Sequence, residues 1–189
     1  TLLSPVEPKV ILGMLHNTGE EDRKLPPQAF MKSARTVIGP DESVLLDPLS
    51  GQVKGEGELT IVVGRTARHL TPENALEHVL GWTIGNDVTA VDQSALDDKL
   101  IQAKNGDGFT PLGPWIETDL DVDDVLVSSR LDGETRQHGR TSDMVFGVGE
   151  LIAHASAAFT LLPGDVLLTG TPAGVGLVEP GQRCEVEVE

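Results

Sequence analysis

The chain has 189 residues, of which 30 are acidic and 14 are basic, so its formal net charge at pH 7 is −16. Aromatic residues make up only 3% of it, and tyrosine is absent. Binding to nucleic acid depends on basic side chains that neutralise phosphates and often on aromatic side chains that stack on bases. The composition therefore argues against nucleic acids and anionic membranes as partners. The length suits one domain with a buried core, and we predict a single domain over residues 1–189.

The cysteine content and the two ends bear on location. Cys184 is the single cysteine, so no disulfide can form within the chain, which favours a reducing compartment. No apolar run has the length of a membrane span, and the first residues lack the charged start and long apolar core of a signal peptide. We expect a cytoplasmic protein. Because the sequence begins with Thr1 rather than methionine, we also expect it to start within a longer protein.

Most of the predicted elements are strands. A polar stretch with two closing prolines, residues 17–27, is the candidate mobile lid. One helix is predicted to begin at Thr71-Pro72-Glu73 and to stop at Gly81, with residues 75, 76, 79 and 80 on its apolar face. A second helix is predicted between Val148 and Phe159. Residues 92–110 are polar and irregular. Short apolar, β-branched or alternating runs predict strands at residues 9–15, 58–64, 82–90, 126–131, 135–141, 166–169 and 184–189, with Asp132-Gly133 as a hairpin turn.

Two glutamates in Gly55-Glu56-Gly57-Glu58 are the first candidate metal ligands. Residues two apart on a strand point to the same face, with Cα atoms about 6.5–7 Å apart, so both carboxylates can converge on one cation. Oxygen ligands of this kind suit Mg²⁺, Mn²⁺ or Ca²⁺ better than zinc. The alternative is an acidic strand edge that faces water.

Three further positions add to this pattern. Asp87 lies within an apolar run, where an unpartnered charge would be costly, although an exposed turn is the alternative. Three glycines in residues 170–176 would let backbone N–H groups around Thr171 approach an anion, or could form a plain turn. Lys104 lies beside glycines and could reach a substrate carboxylate, or could face water.

Taken in order, these motifs resemble those of the fumarylacetoacetate hydrolase superfamily. Within it, the segment around Lys104 looks most like the homoprotocatechuate-pathway branch of decarboxylases and isomerases, which act on unsaturated 2-hydroxy or 2-oxo diacids. The four matching segments are residues 55–64, 81–88, 103–115 and 162–176.

The resemblance implies an α+β, mostly β fold, a rolled mixed β-sandwich with a few peripheral helices, that forms one catalytic domain. It implies Mg²⁺ or Mn²⁺ held by Glu56, Glu58 and Asp87. It further implies that Lys104 acts in catalysis and binds a small anionic 2-oxo acid together with Gly170 and Thr171, and that the protein forms a homodimer. Members of the superfamily typically continue with a further strand beyond the last residues of this chain.

Two departures from the superfamily affect the expected chemistry. Many members have Gly-x-Asn-Tyr-x-x-His-x-x-Glu near the start, and Gly19 occupies the histidine position here, so His16 with Glu20 is the substitute candidate for proton transfer. A strand-end histidine that only faces water is the alternative. Many members also have Ala-Arg-Asp-x-Gln, where this chain has Ala90-Val91-Asp92-Gln93 without the arginine.

These departures favour isomerisation or decarboxylation through a metal-stabilised enolate. The alternatives are a C–C hydrolase of acylpyruvate or fumarylacetoacetate type, or an oxaloacetate decarboxylase. A relative that binds metal and ligand without catalysis is a second alternative, and an acidic β protein with solvated carboxylates is a third.

Overall fold

A computed structural model describes residues 2–19 and 24–189, which form thirteen strands and four α-helices. The helices are α1 (Pro72–Ala75), α2 (Val91–Ser94), α3 (Ile101–Lys104) and α4 (Val148–Ala158). The strands are β1 (Ile11–Leu15), β2 (Gln28–Lys32), β3 (Val37–Ile38), β4 (Val53–Gly55), β5 (Gly57–Val63), β6 (Val79–Asn86), β7 (Thr89–Ala90), β8 (Thr110–Glu117), β9 (Leu126–Leu131), β10 (Glu134–Arg140), β11 (Val166–Leu168), β12 (Gly176–Leu177) and β13 (Cys184–Val188).

The largest sheet is mixed and has seven strands in the order β2-β1-β11-β5-β6-β8-β3. Strands β1 and β11 pair in parallel, as do β3 and β8, and the remaining neighbours in this sheet are antiparallel. Two three-stranded sheets, β10-β9-β13 and β12-β4-β7, complete the strand layers. The curled, mostly β architecture with few helices confirms the predicted fold class.

Strand β5 lies at the centre of the large sheet and is buried along its whole length. Its alternate side chains enter two apolar clusters: Leu59, Ile61 and Val63 pack in one, and Val62 packs in the other. The first cluster also contains Leu151 and Ile152 of α4, together with Val127 of β9. Burial on both faces explains why β5 is a continuous apolar run rather than an alternating one.

The predicted helix after Thr71 is partly wrong. α1 ends at Ala75, a 3-10 turn follows over Leu76–His78, and β6 already begins at Val79. Val79 pairs with Val63, and Gly81 lies inside the strand, where a Cβ atom would come within 2.4 Å of the Glu117 carbonyl oxygen. Pairing with β5 therefore overrides the local helical pattern. The predicted strand over residues 82–90 is divided between β6 and β7. Residues 92–110, which were predicted to be irregular, include most of α2 and all of α3.

The other strand predictions hold, including the β9–β10 hairpin around Asp132-Gly133 and the final strand β13. α4 confirms the second helix and ends just before Phe159, whose backbone is extended. In the part of the chain described here, no helix has the length and apolar character needed to span a membrane.

Candidate active site

The three predicted metal ligands lie together at one end of the β5–β6 pair. Glu56 immediately precedes β5, Glu58 lies within it opposite Gly85, and Asp87 immediately follows β6. The Asp87 backbone N–H donates a 2.8 Å hydrogen bond to the Glu56 carbonyl oxygen, which ties the two strand ends together. Antiparallel pairing thus converts a separation of about thirty residues in sequence into one cluster of carboxylates.

All three carboxylate residues are buried: Glu56 is 8% exposed, Glu58 3% and Asp87 2%. The alternatives of a solvated acidic edge for the glutamates and an exposed turn for Asp87 are therefore wrong. Because buried charges need compensating partners, the identity of their neighbours decides what this site can do.

Three lysines supply those partners. The Lys104 ammonium lies 2.8 Å from Glu56 Oε2 and is also paired with Asp87 Oδ2. The Lys32 ammonium is paired with Asp87 Oδ1, and Lys54 lies 2.9 Å from Glu56 Oε1. The Lys104 ammonium also lies 4.6 Å from the centroid of the Phe30 ring. Three ammonium groups thus pair with two carboxylates, those of Glu56 and Asp87, while Glu58 accepts from the Gly170 backbone N–H.

Sequence reasoning missed Lys32. In the sequence, Lys32 is only a charged residue that follows Phe30 and Met31 at the end of a strand. Lysines at strand ends are usually exposed to water, so this pattern does not indicate a buried lysine. In the structure Lys32 is 3% exposed. It donates to the carbonyl oxygen of Phe109 at 2.7 Å as well as to Asp87. Only the tertiary structure shows that this lysine points inward.

The carboxyl groups differ in protonation behaviour. Burial, followed by the nearby charges of Asp87 and Glu56, raises the pKa of Glu58. Burial also acts to raise the pKa of Glu56, but Lys104 and Lys54 outweigh it and lower that pKa to about 2. In the metal-free protein Glu58 therefore keeps its proton to a higher pH than Glu56 does.

Burial and ion pairing also have opposite effects on the pKa values of the lysines. Burial lowers the pKa of Lys32 despite its contact with Asp87. For Lys104 burial acts in the same direction, but the charges of Asp87 and Glu56 outweigh it, so its pKa is raised. Lys104 is therefore held firmly as an ammonium ion.

The donor set has the chemistry that a hard dication requires, namely buried carboxylate oxygens on two adjoining strands. Among residues 2–19 and 24–189, no three acidic, histidine or cysteine side chains already surround a common point closely enough to hold a metal ion. Two of the carboxylates share the Lys104 ammonium instead, so a cation already lies between Glu56 and Asp87. The residues thus fit a divalent metal, provided that the Lys104 ammonium withdraws into the adjoining cavity.

That cavity has a volume of about 550 Å³ and opens directly beside the carboxylates. His16 lies on its wall at the end of β1, and its backbone has a left-handed conformation with φ of 56°. Gly170, Thr171, Lys54 and Lys104 also line it. The structure therefore brings the predicted catalytic and binding residues together, apart from Glu20, which lies outside the described residues.

The loop of residues 170–176 contacts the carboxylate strand. The Gly170 N–H donates to Glu58 Oε2 at 2.7 Å, and the Thr171 hydroxyl donates to the Gly57 carbonyl oxygen at 2.8 Å. Both donors are thus engaged with the protein. The substrate-binding role of this loop stays a prediction, and its observed role is to hold the strand that carries the glutamates.

Gln137 of β10 is a second residue that sequence reasoning missed. It is fully buried, and its amide oxygen accepts from Gly57 N at 3.0 Å and from Ser129 Oγ at 2.7 Å. Its amide nitrogen donates to the Thr171 hydroxyl and to the Pro172 carbonyl oxygen, the latter at 2.8 Å. All four hydrogen-bonding positions of the amide are filled, so Gln137 fixes the loop and the carboxylate strand relative to each other.

Asn17 anchors the start of the candidate lid. It is 2% exposed, and its side chain donates to the Thr169 carbonyl oxygen at 2.8 Å and accepts from Phe146 N at 2.7 Å. His16 is thereby held between β1 and a fixed asparagine at the cavity wall.

Comparison with known proteins identifies the family to which the chain is similar. The family model "Fumarylacetoacetate (FAA) hydrolase C-terminal" matches residues 10–189. Protein Rv2993c of Mycobacterium tuberculosis is 43% identical over 166 residues, which are 86% of this chain and 63% of that protein. Maleylpyruvate hydrolase of Aquipseudomonas alcaligenes is 39% identical over 163 residues, 85% of this chain and 55% of that protein. Human mitochondrial oxaloacetate tautomerase FAHD2A is 36% identical over 208 residues, covering all of this chain and 66% of that protein. The chain thus spans less than two thirds of the length of these three relatives.

Solved structures agree closely with the fold. A 5-carboxymethyl-2-hydroxymuconate delta-isomerase from Mycobacterium smegmatis superposes with a TM-score of 0.95 at 41% identity, covering 100% of this chain and 77% of that one. A 2-hydroxyhepta-2,4-diene-1,7-dioate isomerase from Mycobacterium marinum gives 0.95 at 39% identity, covering 99% and 73%. Both names come from the branch that the Lys104 segment resembles. With the family match running from Val10 to the last residue, this chain belongs to the fumarylacetoacetate hydrolase family.

Proposed function

We propose that the protein is a divalent-metal-dependent enzyme that isomerises or decarboxylates a small unsaturated 2-oxo or 2-hydroxy-enol acid. The observation that carries this proposal is the cluster of three buried carboxylates, Glu56, Glu58 and Asp87, beside a cavity of about 550 Å³. Relatives named for maleylpyruvate, oxaloacetate and 2-hydroxymuconate derivatives support it, since each of these compounds contains a 2-oxo or 2-hydroxy-enol acid group.

The charge balance of the site favours an anionic substrate. In the metal-free protein the ammonium groups of Lys32, Lys54 and Lys104 pair with the carboxylates of Glu56 and Asp87. A divalent cation at Glu56, Glu58 and Asp87 would therefore give the site a positive charge, despite the net charge of −16 on the whole chain. Such a site attracts an acid that the rest of the surface repels.

In the mechanism that we infer, Glu56, Glu58 and Asp87 would hold a divalent cation, which would supply Lewis-acid stabilisation to a developing enolate. Lys104 binds a substrate carboxylate once its ammonium turns from the protein carboxylates into the cavity. His16 removes a proton from one carbon and returns it to another, which moves the double bond. In decarboxylation, loss of CO₂ from the carbon next to the carbonyl produces the same enolate, and His16 then supplies the proton.

A second candidate is hydrolysis of a C–C bond, favoured by the 39% identity to a maleylpyruvate hydrolase, or decarboxylation of oxaloacetate, the compound for which a relative at 36% identity is named. A third is a relative that binds metal and ligand without catalysis, since Gly19 occupies the histidine position of the superfamily pattern. The choice of Mg²⁺ or Mn²⁺, the homodimer and the cytoplasmic location stay predictions.

The test is an absorbance assay on metal-stripped protein with and without Mg²⁺ or Mn²⁺. The substrates are a 2-hydroxymuconate-type diacid, an acylpyruvate and oxaloacetate. Metal-dependent change of the diene band with the diacid alone supports the proposal, and turnover of the acylpyruvate supports the hydrolase. Silence on all three substrates despite tight metal binding favours the non-catalytic relative.

A ligand variant with a matched control completes this test. Asp87→Ala is expected to abolish metal binding and activity together, whereas Asp119→Ala, which removes an exposed acid at the end of β8, should retain both. A fully active Asp87→Ala protein would refute the site assignment.

A further inference from the structure

The three lysines of the site differ in how firmly they are held. The Lys32 side chain is 0% exposed, and its ammonium already has Asp87 and the Phe109 carbonyl oxygen as close partners. The Lys104 side chain is 5% exposed and lies between two carboxylates. The Lys54 side chain is 28% exposed and has one ion-pair partner, Glu56 Oε1 at 2.9 Å. Lys54 is therefore the least committed of the three.

Lys54 is also placed to meet a ligand. It lines the same cavity as His16 and Glu58, and its strand β4 pairs with β7, where Lys54 lies opposite Thr89. β7 leads directly into α2, whose four residues include no cation and whose cavity-lining member is the neutral Ser94. Among the described residues that line the cavity, Lys54 and Lys104 are the two lysines, and the exposed Asp98 after α2 adds an acid to the lining.

Metal binding would release Lys54 from its partner. When Glu56 shares its negative charge with a dication, its attraction for the Lys54 ammonium falls. The lysine is then a partly solvated point charge on a flexible stem, beside a cavity that holds an acid. Its partial exposure keeps the cost of desolvation lower than it would be for Lys32 or Lys104.

We propose that Lys54 binds the second carboxylate of a diacid substrate and so makes the enzyme prefer diacids to monoacids. This inference rests on the proposed function, in which Lys104 binds the carboxylate next to the 2-oxygen and the far carboxylate is left for Lys54. Lys54 is a specificity-determining residue in this arrangement, and it takes no part in proton transfer.

The experiment compares two ligands of equal chain length, 2-oxoglutarate and 2-oxopentanoate, which differ in a carboxylate at the far end. Calorimetric titration in saturating Mn²⁺ measures the Kd of each ligand for the wild-type protein, Lys54→Met, Lys54→Arg and Lys99→Met. Lys99 is exposed and does not line the cavity, so its variant controls for the loss of one positive charge.

The wild-type protein is expected to bind 2-oxoglutarate about tenfold more tightly than 2-oxopentanoate. One charge-assisted hydrogen bond between the Lys54 ammonium and the far carboxylate accounts for a difference of this size. Lys54→Met should lose that preference through weaker 2-oxoglutarate binding, while Lys54→Arg and Lys99→Met keep it. If Lys54→Met retains the wild-type preference, the inference is overturned and the metal site stands. If the wild-type protein binds neither ligand with Mn²⁺ present, the proposed function fails and this inference fails with it.

Discussion

Replacing Lys32 with methionine tests whether the site is held together by its buried charges. The substitution keeps the length of the side chain but removes the ammonium from Asp87, whose side chain is 2% exposed, and from the Phe109 carbonyl oxygen. Breaking a buried ion pair by removing one partner costs about 3–5 kcal/mol. Asp87 keeps Lys104 as a partner, so we expect a value near the lower end, about 3 kcal/mol.

A loss of that size corresponds to a fall in Tm of about 6–12 °C for a chain of this length. The assay is thermal unfolding in the presence of a chelator, with Lys9→Met, an exposed lysine on the segment before β1, as the control. The double variant Lys32→Met, Asp87→Asn should recover part of the loss, because it also removes the carboxylate that has lost one of its two ammonium partners. A Tm of Lys32→Met within about 1 °C of the wild-type value would refute the argument that Asp87 depends on Lys32.

Three other predictions concern metal and catalysis. Because the pKa of Glu58 is raised in the metal-free protein, Mn²⁺ binding should release a proton and should become tighter as pH rises. Calorimetric titration in buffers of different ionisation enthalpy measures the released proton. A binding heat that does not depend on the buffer would contradict this prediction. Gln137→Leu should weaken Mn²⁺ binding about tenfold, whereas Thr141→Val, which loses two hydrogen bonds near β10, should lower stability but leave metal affinity unchanged. His16→Ala should lower kcat by about 10²–10⁴-fold without changing metal affinity; unchanged turnover at saturating substrate would remove His16 from the mechanism.

The carboxylate site was predictable from sequence because its chemistry is local. Glu56 and Glu58 stand two residues apart, the first just before β5 and the second within it, and Asp87 interrupts an apolar run, so each has a signal within a few neighbouring residues. The resemblance implied that the three carboxylates share a site, and the structure brings them together through the pairing of β5 with β6.

The partners of that site were not predictable because they depend on contacts distant in sequence. Lys32 lies 55 residues from Asp87, and Gln137 lies 80 residues from Gly57. Nothing near Gln137 distinguishes it from the other polar residues of β10, most of which are exposed. The misplaced end of the helix after Thr71 has the same origin, since the pairing of Val79 with Val63 decides the conformation there.

Gly57, between the two glutamates, has a consequence for how this site can change. A Cβ atom there would lie 2.7 Å from Val186 Cγ1 of β13, so the two sheets are in close contact directly behind the carboxylates. Side chains at this point cannot grow without separating the layers, and the rear wall of the site is therefore fixed in shape. The front wall, formed by Ser94 of α2 and by the partly exposed Lys54, carries no such constraint. New substrates can be accommodated by substitutions there while the carboxylate cluster keeps its geometry.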